Sequence, residues 1–201
     1  TLSSAGPRNE PADSFVYDPS FPVPSLGGPD WGSSDPDLRP GAIDQSTLEL
    51  RNDVLVYTSA PLESGIEVTG PIQLILHVSS DAPDTDFTAK LVDVHPDGRA
   101  FNVQEGIARV RYREGPGRTS LMEPGKVYRV VVELEATSNH FRPGHRIRLE
   151  VSSSNFPRFA RNLNTGGNNW DETSWRIARN VVHHSTKYPS HLLLPVIPES
   201  G

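Results

Sequence analysis

The sequence predicts an all-β protein, an antiparallel β-sandwich of jelly-roll type, and three observations carry that expectation. Apolar residues recur with period two in one segment after another from Leu48 onward, as strands with one buried face require. No window sustains a 3.6-residue apolar stripe, so the crossover helices that a parallel sheet needs are missing. The 16 glycines and 19 prolines are about 17% of the 201 residues, above the roughly 12% of ordinary usage, which fits many short elements joined by turns.

Residues 1–46 read as an extended lead-in. Prolines 7, 11, 19, 22, 24, 29, 36 and 40, with Gly27, Gly28, Gly32 and Gly41, leave no periodic pattern intact. Phe15, Tyr17, Phe21, Val23 and Trp31 nonetheless carry more apolar surface than a solvated linker keeps, so the lead-in is expected to pack on the domain formed by residues 47–201. Strands are then predicted at 54–58, at 72–78 with Ile72, Leu74, Leu76 and Val78 on one face, and at 87–92 with Phe87, Ala89 and Leu91 opposite Thr88, Lys90 and Val92. The same alternation marks 107–113, 127–135, 147–151, 177–184 and 192–196, giving eight or nine strands in all. Turn signals such as Pro96-Asp97-Gly98, Glu114-Gly115-Pro116-Gly117 and Glu123-Pro124-Gly125 separate them. Arg109, Arg111 and Arg113 form a row on one predicted strand face. Such a row is either solvated and unattractive to further pairing or a site for a phosphate or partner carboxylate. Residues 152–174 make a connection longer than compact domains usually carry without a task or a partner surface.

Composition excludes several chemistries. With no cysteine, the chain has no disulfide, thiolate metal site or cysteine nucleophile. A net charge of −6 argues against nucleic acid or an anionic membrane as partner. No apolar run approaches the ~18 residues that span a bilayer. The first residue is Thr1, so an excised or processed chain is expected, and no targeting segment is legible. A cytoplasmic setting is somewhat favoured. No G-x-S-x-G nucleophile elbow occurs; the nearest cluster, Gly32-Ser33-Ser34-Asp35-Pro36, lies in the lead-in with neither strand nor helix around it. His184-Ser185 has no readable orienting acid.

Seven histidines show no H-E-x-x-H pattern. His183 and His184 are neighbours on a predicted strand and point to opposite faces, and His140 and His145 flank a turn where a solvated or hydrogen-bonding role is the commoner account. No cofactor is expected. Asp81, Asp84, Asp86, Asp93 and Asp97 cluster without the EF-hand order. Asp84 and Asp86 are therefore calcium candidates beside the commoner reading of capped turns. Trp31, Trp170 and Trp175 are able to stack on sugars, though packing is the commoner fate of tryptophan.

Several motifs occur together in order. They are Tyr17-Asp18-Pro19, Pro22-Val23-Pro24-Ser25-Leu26-Gly27-Gly28, Asp44-Gln45, the run from Arg51 to Ser59, Ala82-Pro83-Asp84-Thr85-Asp86-Phe87, Lys90-Leu91-Val92-Asp93-Val94, and Ser152-Ser153-Ser154-Asn155-Phe156-Pro157-Arg158 with Asn162 and Asn164-Thr165-Gly166. From Tyr17 to Val196 the chain resembles the C-terminal domain of the cocaine esterase, X-Pro dipeptidyl-peptidase and α-amino acid ester hydrolase family. The resemblance implies a galactose-binding-like jelly roll that is itself noncatalytic. It also implies a partner, the α/β-hydrolase domain of the same parent chain, holding the Ser-Asp-His triad for ester or amide hydrolysis. Within that frame Phe87 is the candidate for a wall of the acyl pocket, with a core phenylalanine as the competing reading. Phe156, Arg158 and Asn162 are candidates for the interdomain face, with internal loop bracing as their alternative. Homodimerisation through an exposed sandwich face is a further expectation. The alternative function is an independent carbohydrate-binding jelly roll, calcium-dependent through the clustered aspartates.

Overall fold

The structure, a computed structural model, describes residues 4–29 and 39–198. Among the described residues ten strands form two antiparallel sheets, and there is no α-helix. The first sheet is built on the long strand β3 (Ile66–Ser80). β6 (Tyr128–Phe141) pairs along one edge of it, and β8 (Ala178–His183), β9 (His191–Leu193) and β10 (Val196–Ile197) share the other. β1 (Asp13–Tyr17) lies outside β8. The second sheet runs in the order β2 (Leu55–Thr58), β7 (Arg146–Ser152), β4 (Asp86–Val94), β5 (Ala100–Arg109).

The sheets face each other across one apolar core. Ile72, Leu74, Leu76 and Val78 of β3 and Val130, Val132 and Leu134 of β6 meet Phe87, Ala89 and Leu91 of β4 and Leu149 and Val151 of β7. Phe15 of β1 stands edge-on to Phe87, with ring centroids 6.4 Å apart and planes at 89°, the arrangement favoured by aromatic quadrupoles. Each such fully buried side chain is worth about 1.5–3 kcal/mol of transfer free energy.

Three elements differ from the periodicity reading. β1 falls inside the proline-rich lead-in: its five residues pair with β8 from Asp13↔Val182 to Tyr17↔Ala178 and put Phe15 and Tyr17 into the core. β4 is buried on both faces rather than one, because residues 18–29, 39–54 and 153–164 cover the outside of its sheet. The covering segments are stitched together by Ser25 N–H donating to Phe156 O at 2.7 Å, Phe156 N–H to Val23 O at 2.9 Å, and Val23 N–H to Ser154 Oγ at 2.8 Å. The predicted strand 107–113 is displaced: β5 starts at Ala100 and ends at Arg109, followed by a 3-10 turn at Val110–Tyr112. Arg109 pairs with Asp86, the first residue of β4, so no ladder partner remains beyond it. The Arg111 N–H turns instead to the Asp84 carboxylate at 2.9 Å.

The open edges of β5 and β6 approach closely at Gly106. A Cβ there would lie 1.9 Å from the Glu133 carbonyl oxygen, so only glycine fits. Two residues on, β6 carries one residue more than β3 between Pro71 and Gln73. Glu135 takes a left-handed φ of 62° in this bulge.

Candidate functional site

The strand residues that suggested chemistry are bound to one another. Asp84 and Asp86 flank the entry to β4 and are fully buried. Arg111 donates to Asp84 Oδ2 at 2.7 Å, and Arg109 grips Asp86 with two bonds of 2.9 Å. Asn162 closes the set, its Nδ2 donating to Asp84 Oδ2 at 2.7 Å and Asp86 Oδ1 at 2.8 Å. Burial pushes the Asp86 carboxyl up, and the Arg109 guanidinium and the Asn162 amide pull it back. The Tyr17 hydroxyl, raised chiefly by burial and next by Asp86, donates to Asn162 O at 3.1 Å.

This clamp bears on three expectations. Asp84 and Asp86 each carry a guanidinium, which supports the braced-turn reading over a calcium site because positive charge opposes a cation. The three arginines do not make a solvated row: Arg109 and Arg111 are clamp members, and Arg113 turns back to Ser120 and over the Tyr128 ring at 4.2 Å. Asn162 has no exposed surface, so it braces the long connection from within instead of meeting another domain.

A second polar layer lies between the outer face of β4 and the covering segments. Lys90 Nζ donates to Gln45 Oε1 at 2.7 Å and stands 3.9 Å from Glu105 Oε2. Glu105 also accepts from Asn155 Nδ2 at 2.9 Å and faces Arg158 Nε at 2.9 Å. Gln45 reaches the carbonyls of Leu26 and Ile43 at 2.9 and 2.8 Å. Arg158 is thus a counter-ion to Glu105 with its side chain 11% exposed, which supports the loop-bracing alternative. Phe87 belongs to the sandwich core at 0% exposure. A side chain with no surface cannot wall a pocket, so the core reading replaces the pocket reading.

Among the described residues, serine and histidine side chains meet once, at Ser79 Oγ and His183 Nε2, 2.9 Å apart. The acid is on the wrong neighbour: Asp13 Oδ2 lies 3.0 Å from Nε2 of His184, the residue that follows β8, rather than against His183. Trp31 and the Gly32–Pro36 cluster lie outside the described residues.

Part of the exposed apolar surface lies around Asp18, Arg51 and Arg161. Asp18 accepts a hydrogen bond from the Trp175 side chain and its carbonyl accepts from Phe21 N–H at 3.0 Å. Arg51 sits over the Phe21 ring at 4.7 Å. Arg161 donates to Pro19 O at 2.8 Å and lies 6.0 Å from the Phe156 ring centroid. Phe21, Phe156 and Trp175 are 69%, 41% and 52% exposed. Of the three interdomain candidates, only Phe156 is presented outward. Trp170 is also exposed, on the 165–172 loop.

One cluster escaped the linear reading. Asp93, His95 and His145 bring one ligating atom each within 4.8 Å of one another at the end of the sandwich. Its signal was D-x-H across the end of β4 with a histidine just before β7, legible only once the register pairs Asp93 with Ile147 and so sets position 95 opposite 145.

Taken together, a two-sheet sandwich whose buried acids and bases neutralise one another and whose outer surface carries an arginine-studded apolar face is an accessory domain in construction. The chain belongs to the X-Pro dipeptidyl-peptidase C-terminal non-catalytic domain family, which it matches over residues 4–193. It is 48% identical over 199 residues to the cocaine esterase of Rhodococcus sp. (strain MB1 Bresler), covering 98% of this chain and 34% of that one. Among solved structures it is similar to an aminopeptidase from a marine sediment Thaumarchaeota archaeon, with a TM-score of 0.88 at 30% identity over 96% of this chain and 34% of that one. An α-amino acid ester hydrolase gives a TM-score of 0.85 at 27% identity over 98% and 33%. The chain therefore spans about a third of the length of these relatives.

Proposed function

We propose that this domain works as the docking module of a serine hydrolase of esters or amides, seated on an α/β-hydrolase domain that supplies the nucleophile. Membership of a non-catalytic family, at a third of the length of relatives that include an esterase and an aminopeptidase, carries this reading. The face around Phe21, Phe156 and Trp175 is the docking surface. Aromatic side chains there offer apolar area, and Arg51 and Arg161 between them offer directed hydrogen bonds, the composition of an interface core.

Two measurements test the proposal. The 201-residue chain alone should not turn over p-nitrophenyl esters or aminoacyl-prolyl amides; turnover abolished by a serine-reactive phosphonate would refute it. In a chain extended N-terminally by its α/β-hydrolase domain, Phe156→Ala together with Phe21→Ala should lower the temperature of inactivation while leaving the melting of the isolated 201-residue chain in place. Equal effects on both would remove the docking role. Self-association of the isolated chain through the same uncovered face follows and is read by light scattering.

A further inference from the structure

We infer that Asp93, His95 and His145 form a binding site for a divalent transition-metal ion of the zinc class. The site follows from strand register. Asp93 shares the inward parity of Phe87, Ala89 and Leu91, and its partner across the ladder is Ile147. Beyond this pair, His95 follows the end of β4 and His145 precedes the start of β7, so the register sets them opposite each other. His145 Nδ1 lies 2.9 Å from Asp93 Oδ1, His95 Nε2 lies 3.9 Å from Asp93 Oδ2, and the two imidazole rings are 4.4 Å apart between centroids. A tetrahedral zinc ion with bonds near 2.0–2.2 Å needs ligand atoms roughly 3.4 Å apart. The three ligand atoms already lie within 4.8 Å of one another, so the spacing needed differs from the one observed by side-chain adjustment.

Charge separates this cluster from the other aspartates. Asp84 and Asp86 each have an arginine on them. Among the described residues the ion-pair partners of Asp93 are the two histidines alone, so its negative charge is available to a cation. Two imidazoles with one carboxylate suit zinc over calcium or magnesium, which take oxygen. The metal would take the place of the hydrogen bond between Asp93 and His145. The fourth position opens on a cleft of about 600 Å³ that Asp93, His95, Phe101, Thr137 and Asn139 help to line. The Asn139 Nδ2 is buried without a protein acceptor and is suited to an oxygen held on the metal. Because His95 sits in the β4–β5 turn and His145 in the β6–β7 turn, the ion would clip two turns together.

The test uses the chain stripped with EDTA. Zinc chloride should raise its melting temperature in a concentration-dependent, EDTA-reversible way, as binding to the native state alone requires. Calorimetric titration should give one site per chain, and cobalt(II) should produce the intense visible absorption of a four-coordinate ion. His95→Phe and Asp93→Asn should each weaken zinc binding at least tenfold, since even partners of a metal's ligands are worth 10–100-fold. A variant with His183 and His184 both replaced by glutamine should bind as the parent does. No thermal shift in the parent, or an undiminished site in a His95→Phe chain that melts cooperatively, would overturn the inference.

Discussion

Glu150 is expected to make this domain less stable as pH rises through neutrality, and Glu150→Gln to remove that loss. The residue sits on β7 opposite Lys90 and Val56, under the covering segments, with Oε1 buried and unpartnered. Lys90 spends its ammonium on Gln45 and Glu105, and Arg148 pairs with Glu49. Burial, partly offset by Lys90 and reinforced by Glu49, pushes Glu150 from 4.5 up to about 8. The raised value belongs to the folded state, which therefore holds a proton that the unfolded chain has already released above pH 4.5. Stability is undiminished below that pH and falls by about 1.4 kcal/mol per pH unit up to about 8. At pH 7 the cost is on the order of 3 kcal/mol. Glutamine keeps the shape and the donor toward Glu49 without a proton to lose. Urea unfolding from pH 4 to 8 should give superimposed curves at pH 4 and a gap in favour of Glu150→Gln that widens with pH. A parallel pair of stability profiles, or a variant weaker at every pH, would refute the reasoning.

Other outcomes follow from the same packing. Phe87→Ala should cost about 3–5 kcal/mol in denaturant unfolding, and Phe156→Ala no more than about 0.5 kcal/mol in the isolated chain; comparable losses would contradict their placement in core and surface. Asp84→Asn strands the buried Arg111 charge and should cost about 3–5 kcal/mol. Gly106→Ala drives a methyl into the Glu133 carbonyl and should cost about 3 kcal/mol or more, read as a fall in melting temperature. Calcium chloride should leave the melting temperature unchanged, and a concentration-dependent rise would reopen the aspartate site.

Much of the fold was legible because alternation is a local property. The strand at Ile72–Val78 shows its inward face in four apolar residues that need no partner to be recognised. β1 was hidden since Phe15 and Tyr17 sit among prolines and become a strand only through β8, more than 160 residues away. The run from Ile107 to Arg113 misled for the converse reason: its alternation continues past Arg109, while the ladder stops where β4 does. Lys90 and Glu150 look like outward residues of half-exposed strands. Only the covering segments make Lys90 a buried cation and Glu150 a buried carboxyl that keeps its proton.

By itself the sequence determined that this is an antiparallel β domain with no cysteine chemistry and no nucleophile elbow, and that its motifs are those of a hydrolase's C-terminal domain. Composition, periodicity and motif order are properties of the chain before it folds, which is why they sufficed. Tertiary structure decided which polar residues remain available. It joined Asp84 and Asp86 to arginines distant in sequence, took Phe87 and Asn162 inside, turned Arg158 onto Glu105, left Phe156 outside, and set His95 across from His145. Each outcome depends on register and on which surface another segment covers, and a charged or aromatic residue is written identically in the sequence whether its neighbour in space is water, a counter-ion or another domain.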